Sequence, residues 1–349
     1  MGIRVLIVDK SSATRTSMRE ILQNCPLISI VDTAPDAYVA RNKMLQNKPD
    51  VICLDIDIPS IDGITFLKKI MKYMPIPVIM LSSLTTTGAK TTLDALDAGA
   101  VDFITKSQSN ISDNTWETKH ELIQKVKMAV KTKPPKPINP IITKTYSTLT
   151  YHNSQLSPQK LIAIGSSTGG TEALKEILTK LPKNSPSVII VQHMPASFIK
   201  QFADRLDKLC KVEVKEAKNG DVLKMGQVFI APGDKHMVLR RSGKKYYLQT
   251  GDGKKISGHK PSINVLFNSV SKVAGKNAIG VILTGMGEDG ARGLLKLKET
   301  GATTLGQNQQ SCVVYGMPKA AFLLGAVSKE VHLSNMAKVI LNELEKLSI

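Results

Sequence analysis

The sequence predicts an α/β protein made of two doubly wound parallel-sheet domains. Three observations predict it. Short apolar runs that read as buried strands alternate with stretches of helical spacing along most of the chain. A stretch rich in Pro and Lys interrupts that alternation near residues 133–160. The length of 349 residues suits two domains of ordinary size, and a hydrophobic content of 42% supplies their cores.

The first half opens with a strand that ends in a carboxylate, Val8-Asp9. Ser11 or Ser12 caps the helix that follows, whose apolar face carries Met18, Ile21 and Leu22. Strands are then expected at 28–32, 50–57, 77–83 and 102–106. Helices are expected between them at 35–47, 63–73 and 90–98, with a last one at 116–131. Five β/α repeats of this length imply a parallel sheet covered on both faces. The strand ends place Asp9, Asp55, Ser82 and Lys106 on one edge. One such Asp is ordinarily a helix cap; four polar strand ends together point to a site.

Those residues stand in Val-Asp at 8–9, Leu-Asp-Ile-Asp-Ile-Pro at 54–59, Asp-Gly at 62–63, Met-Leu-Ser-Ser at 80–83 and Asp-Phe-Ile-Thr-Lys at 102–106. The set resembles the receiver domain of two-component response regulators, which have a flavodoxin-like fold. The resemblance implies that Asp55 is the phosphoacceptor, Ser82 the reporting hydroxyl, Lys106 the pairing cation and Phe103 the aromatic switch. It also implies a Mg²⁺ held by Asp9, Asp55 and the backbone carbonyl of Asp57. Two residues depart from the pattern: Lys10 stands where receivers carry a second acid, and Ser107 where they carry Pro. Lys10 is expected to weaken the metal site, because an ammonium repels a hard dication and removes a ligand.

Residues 133–160 read as a linker between a first domain, 1–132, and a second, 161–349. Pro134, Pro135, Pro137, Pro140 and Pro158 disfavour a helix or a core strand. From Leu122 to Thr171 there are seven lysines and no acid. The stretch is a solvated spacer or, more sharply, a docking segment for an acidic surface.

In the second half a short apolar run from Leu161 reads as a buried strand and breaks into Gly165-Ser166-Ser167-Thr168-Gly169, which fits G-x-S-x-G. Such a turn lifts a hydroxyl over the sheet edge beside a helix N-terminus. By itself it is also a fair phosphate loop. A second strand ends in Gln192-His193, and a third runs into Leu283-Thr284-Gly285-Met286-Gly287-Glu288-Asp289-Gly290. Carboxyl ends of parallel strands share one edge, so Ser167, His193 and Asp289 can meet as nucleophile, base and orienter. A strand pair near 237–240 and 246–250 reads as antiparallel. A helix entered at Ser262, the stretches 303–306 and 309–318 and a terminal helix complete the half.

Gly-Ser-Ser-Thr-Gly-Gly-Thr, Gln-His-Met-Pro, Ile-Ala-Pro-Gly-Asp-Lys-His-Met, His-Lys-Pro-Ser, Leu-Thr-Gly-Met-Gly-Glu-Asp-Gly-Ala and Ser-Cys-Val-Val-Tyr-Gly-Met-Pro-Lys-Ala are similar to the catalytic domain of chemotaxis protein-glutamate methylesterases, the CheB family. With the receiver ahead of it, that resemblance spans essentially the whole chain. It implies a Rossmann-like esterase domain with a small antiparallel element. Ser167 is then the nucleophile, His193 the base and Asp289 its orienter. Thr168 is an auxiliary group, and the backbone N–H groups of His193 and Met286 form the oxyanion hole. The implied reaction is hydrolysis of glutamate γ-methyl esters, and deamidation of glutamines, on methyl-accepting chemotaxis receptors. A chemotaxis histidine kinase is the implied phosphodonor. The esterase chemistry needs no metal or other cofactor. His236 and His259 are rival imidazoles, read as loop-positioning or substrate-groove residues.

The net charge is +18, yet aromatics are only 4% and no helix-turn-helix or stacking platform is evident. Acidic protein partners are therefore expected rather than nucleic acid. No apolar run spans a membrane, and Arg4, Asp9 and Lys10 break any signal peptide, so the expected location is the cytoplasm. Cys25, Cys53, Cys210 and Cys312 lack metal-binding spacing. Two rival functions are a nucleotide-binding domain, which lacks Lys-[Ser/Thr] after the glycine loop, and a regulator that binds receptors without catalysis.

Overall fold

The computed structural model describes residues 2–106, 116–132 and 160–347. The chain divides into two compact units, Met1–Ile142 and Thr143–Ile349. The first contains β1 (Ile3–Val8), α1 (Ser12–Gln23), β2 (Ile28–Ala34), α2 (Ala37–Gln46), β3 (Val51–Asp55), α3 (Gly63–Tyr73), β4 (Val78–Ser83), α4 (Thr86–Asp97), β5 (Asp102–Lys106) and α5 (Trp116–Ala129). Its five strands are parallel in the order β2-β1-β3-β4-β5, the flavodoxin-like arrangement. All of β3 is buried, as a central strand with both faces covered must be.

Short polar side chains start these helices: Ser11 accepts from the Thr14 N–H, Asp36 from Val39 and Asp62 from Thr65. The fourth helix begins four residues before the expected position 90. Thr85 caps it by accepting from the Gly88 N–H, and a run of Thr and Gly gave no apolar period to mark that start.

The second unit contains β6 (Leu161–Ser166), α6 (Gly170–Leu178), β7 (Ser187–Gln192), α7 (Ala196–Asp207), β8 (Glu213–Glu216), β9 (Gln227–Ile230), β10 (His236–Ser242), β11 (Lys245–Gly251), α8 (Ile263–Val273), β12 (Ala278–Ile282), α9 (Ala291–Glu299), β13 (Thr303–Gln307), α10 (Met317–Leu323), β14 (Lys329–Val331) and α11 (Leu333–Lys346). Seven parallel strands lie in the order β14-β13-β12-β6-β7-β9-β8. β10 and β11 form a separate antiparallel pair, the small element expected from the sequence. β7, β9 and β8 lie outward from β6 on one side, and β13 and β14 outward from β12 on the other. The switch point lies between those two neighbours, at the carboxyl edge where α/β proteins build sites. α10 and β14 were not foreseen, because seven and three residues are too short to show a period.

Residues 133–159 of the expected linker lie outside the described residues, as does Ser107. Lys160 does not belong to a solvated spacer: it is buried, and its Nζ donates to Leu344 O at 3.3 Å within the second unit. Among the described residues no helix is long and apolar enough to cross a membrane.

Candidate active site and receiver pocket

The strand-to-helix turn after β6 is built around two glycines. Gly169 has φ +76°, a conformation open to glycine, and caps α6. A Cβ on Gly170 would lie 2.2 Å from Gln192 Oε1. Of the two serines here, Ser166 is wholly buried and donates its hydroxyl to Gln192 Oε1 at 2.7 Å. Ser167 is half-buried, so it is the one whose hydroxyl can meet a substrate. Its own N–H donates to Thr284 O at 3.0 Å, which ties the turn to the end of β12.

Gln192, which the sequence shows only as part of its motif, stitches the site. Its Nε2 donates to Ser167 O and to His193 O, each at 3.0 Å. Thr284 does the same on the other side: its Oγ1 donates to Thr168 O at 3.0 Å and accepts from the Val314 N–H at 2.9 Å. Their strand-end positions flagged them as edge residues, but their partners are remote in sequence.

His193 follows β7 and meets Asp289, which follows β12; Nε2 and Oδ2 are 3.0 Å apart. The carboxylate holds the ring proton on Nε2. That leaves the lone pair on Nδ1, a buried nitrogen with no hydrogen-bond partner among the described residues. The ring therefore offers Nδ1 as the base. No hydrogen bond joins it to Ser167 Oγ in this conformation; contacts of this kind are often formed only with substrate bound.

Asp289 is 1% exposed and fully used as an acceptor. Oδ1 accepts from Ser262 Oγ at 2.9 Å and from the Asn264 N–H at 3.2 Å. Oδ2 accepts from the Ile263 N–H at 2.7 Å in addition to His193. The unpaired first-turn amides of α8 thus close on a carboxylate, whose charge also suits the positive end of the helix. Burial alone would raise the Asp289 carboxyl. His193, the Ile263 N–H and the Ser262 hydroxyl outweigh it and hold the group below the usual carboxylate range.

One expected oxyanion donor needs correction. The His193 N–H donates to Ser166 O at 3.1 Å, continuing the β6–β7 ladder, and is not free to meet an oxyanion. The Met286 N–H has no acceptor among the described residues. It lies beside the nucleophile: a Cβ on the preceding Gly285 would come 2.7 Å from Ser167 Cβ. Thr168 is half-buried next to Ser167. Of the rival imidazoles, His236 accepts at Nδ1 from the Ser262 N–H at 3.2 Å, while His259 lies on the His193 ring itself.

In the first unit the polar strand ends converge as the sequence implied. Lys106 Nζ lies 2.6 Å from Asp9 Oδ2 and 2.8 Å from Asp55 Oδ2. Burial, aided by Asp9, raises the Asp55 carboxyl against the pull of Lys106. Ser82 is buried, with its Oγ 2.5 Å from Thr92 Oγ1. Phe103 is buried too, with Lys125 Nζ 5.3 Å from its ring centre.

Lys10 pairs with the carboxylate of Asp57, and Asp57 raises its pKa further. Octahedral Mg²⁺ requires several oxygens not committed to other cations. Here Asp9 and Asp55 share the Lys106 ammonium, and Lys10, standing in place of a second acid, brings another ammonium onto the side chain of Asp57, whose backbone carbonyl is the third expected ligand, so the donor set does not suit the dication. Among the described residues no group of three or more His, Cys, Asp or Glu side chains is arranged to hold a metal.

Residues 162–340 match the family model of the CheB methylesterase, and residues 5–112 that of the response regulator receiver domain. The chain is 54% identical over 341 residues to a protein-glutamate methylesterase/protein-glutamine glutaminase of Sulfurimonas denitrificans, covering 96% of this chain and 97% of that one. It is 47% identical to the protein of the same name from Escherichia coli, covering 97% and 96%. The crystal structure of the Thermotoga maritima CheB methylesterase catalytic domain is similar at 37% identity and a TM-score of 0.52, covering 53% of this chain and 98% of that one. With both units matched in order and relatives aligned over nearly full length, the chain belongs to the CheB family of receiver-linked methylesterases.

Proposed function

We propose that this protein hydrolyses glutamate γ-methyl esters, and deamidates glutamines, on methyl-accepting chemotaxis receptors in the cytoplasm, with a chemotaxis histidine kinase as phosphodonor to Asp55. The relatives' names support the reaction class. The observation that carries the chemistry is the Asp289–His193 pair at 3.0 Å, on strand ends that flank the Ser167 turn.

His193 Nδ1 takes the proton of Ser167 as its oxygen attacks the ester carbonyl. The oxyanion that forms meets the Met286 N–H, and the N-terminal end of α6 adds a favourable field. His193 then returns the proton to the leaving methoxide. Water, deprotonated by the same nitrogen, splits the acyl-enzyme. An amide follows the same path with ammonia as leaving group. Thr168 borders the nucleophile as an auxiliary group.

The receiver half is a regulator whose pocket carries its own ammonium at Lys10, and it binds Mg²⁺ weakly. Purified protein should release methanol from methylated receptor membranes, and Ser167→Ala should abolish release while its melting curve stays that of the wild type. Methanol release by Ser167→Ala at the wild-type rate would overturn the assignment of the nucleophile and, with it, the reading.

A further inference from the structure

The ring of His259 lies flat on the ring of His193, with centroids 3.7 Å apart and planes within 10°. It covers one face of the imidazole bonded to Asp289. We propose that His259 is a positioning residue for the general base. It holds the plane of the His193 ring and presents an aromatic face to the imidazolium that forms there. This rests on the reading of Ser167, His193 and Asp289 as a triad.

The chain takes trouble to place that ring. Ile256 and His259 exchange both backbone hydrogen bonds, each at 3.0 Å, across Ser257 and Gly258. Both central residues have positive φ, +53° and +79°, as a two-residue hairpin turn of the primed kind requires. Gly258 adopts this freely, whereas Ser257 is strained there. Such strain persists only where surrounding contacts enforce it. The contact is visible: Asn264 Nδ2 donates to Ser257 Oγ at 3.2 Å, and Asn264 Oδ1 accepts from the Gly293 N–H at 2.7 Å. The turn that carries His259 is thereby pinned to the helix start whose amides hold Asp289. One segment, 257–264, thus fixes the base from two directions: by ring stacking on its face and through the carboxylate at its edge.

Stacking matters most during the reaction. As the base, His193 reacts with a free lone pair on Nδ1. When the proton of Ser167 moves to Nδ1, the ring becomes a cation against an aromatic face, which attracts it. An interaction stronger in the transition state than in the ground state raises kcat and leaves KM alone. Without the stack the ring also gains freedom to tilt away from Ser167.

The test compares His259→Phe with His259→Leu in the full-length protein, by methanol release at varied receptor concentration. Phe keeps a flat aromatic face, whereas Leu fills similar space without one. The Leu variant should lose about 3- to 30-fold in kcat, the range expected for a cation on an aromatic ring, with KM within about twofold of the wild type. The Phe variant should recover most of that loss. Melting temperatures check that both variants fold, and a Leu variant that melts early is compared below its transition. Wild-type kcat in the Leu variant overturns the proposal. So does equal loss in Phe and Leu, which would mean the imidazole nitrogens act rather than the ring face. Failure of the triad reading is distinguishable, because His193→Ala would then retain turnover, whereas failure of this inference alone leaves His193→Ala inactive.

Discussion

Replacing Asp289 by Asn tests the site at its most connected atom. Two oxygens take four donors: Ser262 Oγ, the Asn264 and Ile263 N–H groups, and His193 Nε2. An amide has only one oxygen. Turned toward His193, its NH₂ would confront the Ile263 N–H, where the native contact is 2.7 Å. Turned the other way it faces the Ser262 hydroxyl, which can rotate to accept, and the Asn264 N–H at the looser 3.2 Å. The second orientation should win and should keep the Nε2–H tautomer. What is lost is charge. A full charge 3.0 Å from the imidazolium contributes about 5.5 kcal/mol at an effective dielectric of about 20. A neutral hydrogen bond returns about 1 kcal/mol. The remainder, about 4.5 kcal/mol, corresponds to about a 2 × 10³-fold fall in kcat. KM should stay within a few-fold, because Asp289 is buried and its oxygens are taken up by four protein donors. The stranded Asn264 N–H should lower stability by about 1–3 kcal/mol. Steady-state methanol release and thermal melting read both quantities. A kcat within threefold of wild type would refute the orienting role, and a change confined to KM would make Asp289 a binding residue.

Asp55→Asn should raise Tm at neutral pH. The folded carboxyl titrates above its unfolded value, so its ionised form is the disfavoured one; the gain over wild type should shrink as pH falls through that raised value and vanish below about 4, and a gain independent of pH would refute the cause. Lys10→Asp should tighten Mg²⁺ binding at least about tenfold by calorimetry, since it removes an ammonium and adds a carboxylate oxygen. It should also speed phosphorylation by a small phosphodonor; equal affinity and rate in the two proteins would sink the mismatch between this pocket and the dication.

The amino-acid sequence by itself determined the alternation of strands and helices, the polar residues at the strand ends that build the two sites and the identity of both site clusters. These are local properties. Apolar runs bounded by Gly, Ser and Pro mark strands, and Ser11, Asp36, Asp62 and Ser262 mark helix starts within their own turns. Ser167, His193 and Asp289 stood out because strand ends of a parallel sheet must share an edge. Only the tertiary structure decided which strands are neighbours, and with them which groups meet. Strand order depends on contacts between residues far apart in the chain, and no local pattern encodes it. It set β12 beside β6, joined Ser167 to Thr284 and gave Asp289 both to His193 and to the amides of α8. It also spent the His193 N–H on the ladder, turned Nε2 rather than Nδ1 toward the carboxylate and laid His259 on the ring. Lys10 was legible as a departure, but its pairing with Asp57 depended on β1 and β3 lying side by side. A side chain's chemistry is written in its type, whereas the partner that tunes it is chosen by the packing of distant segments.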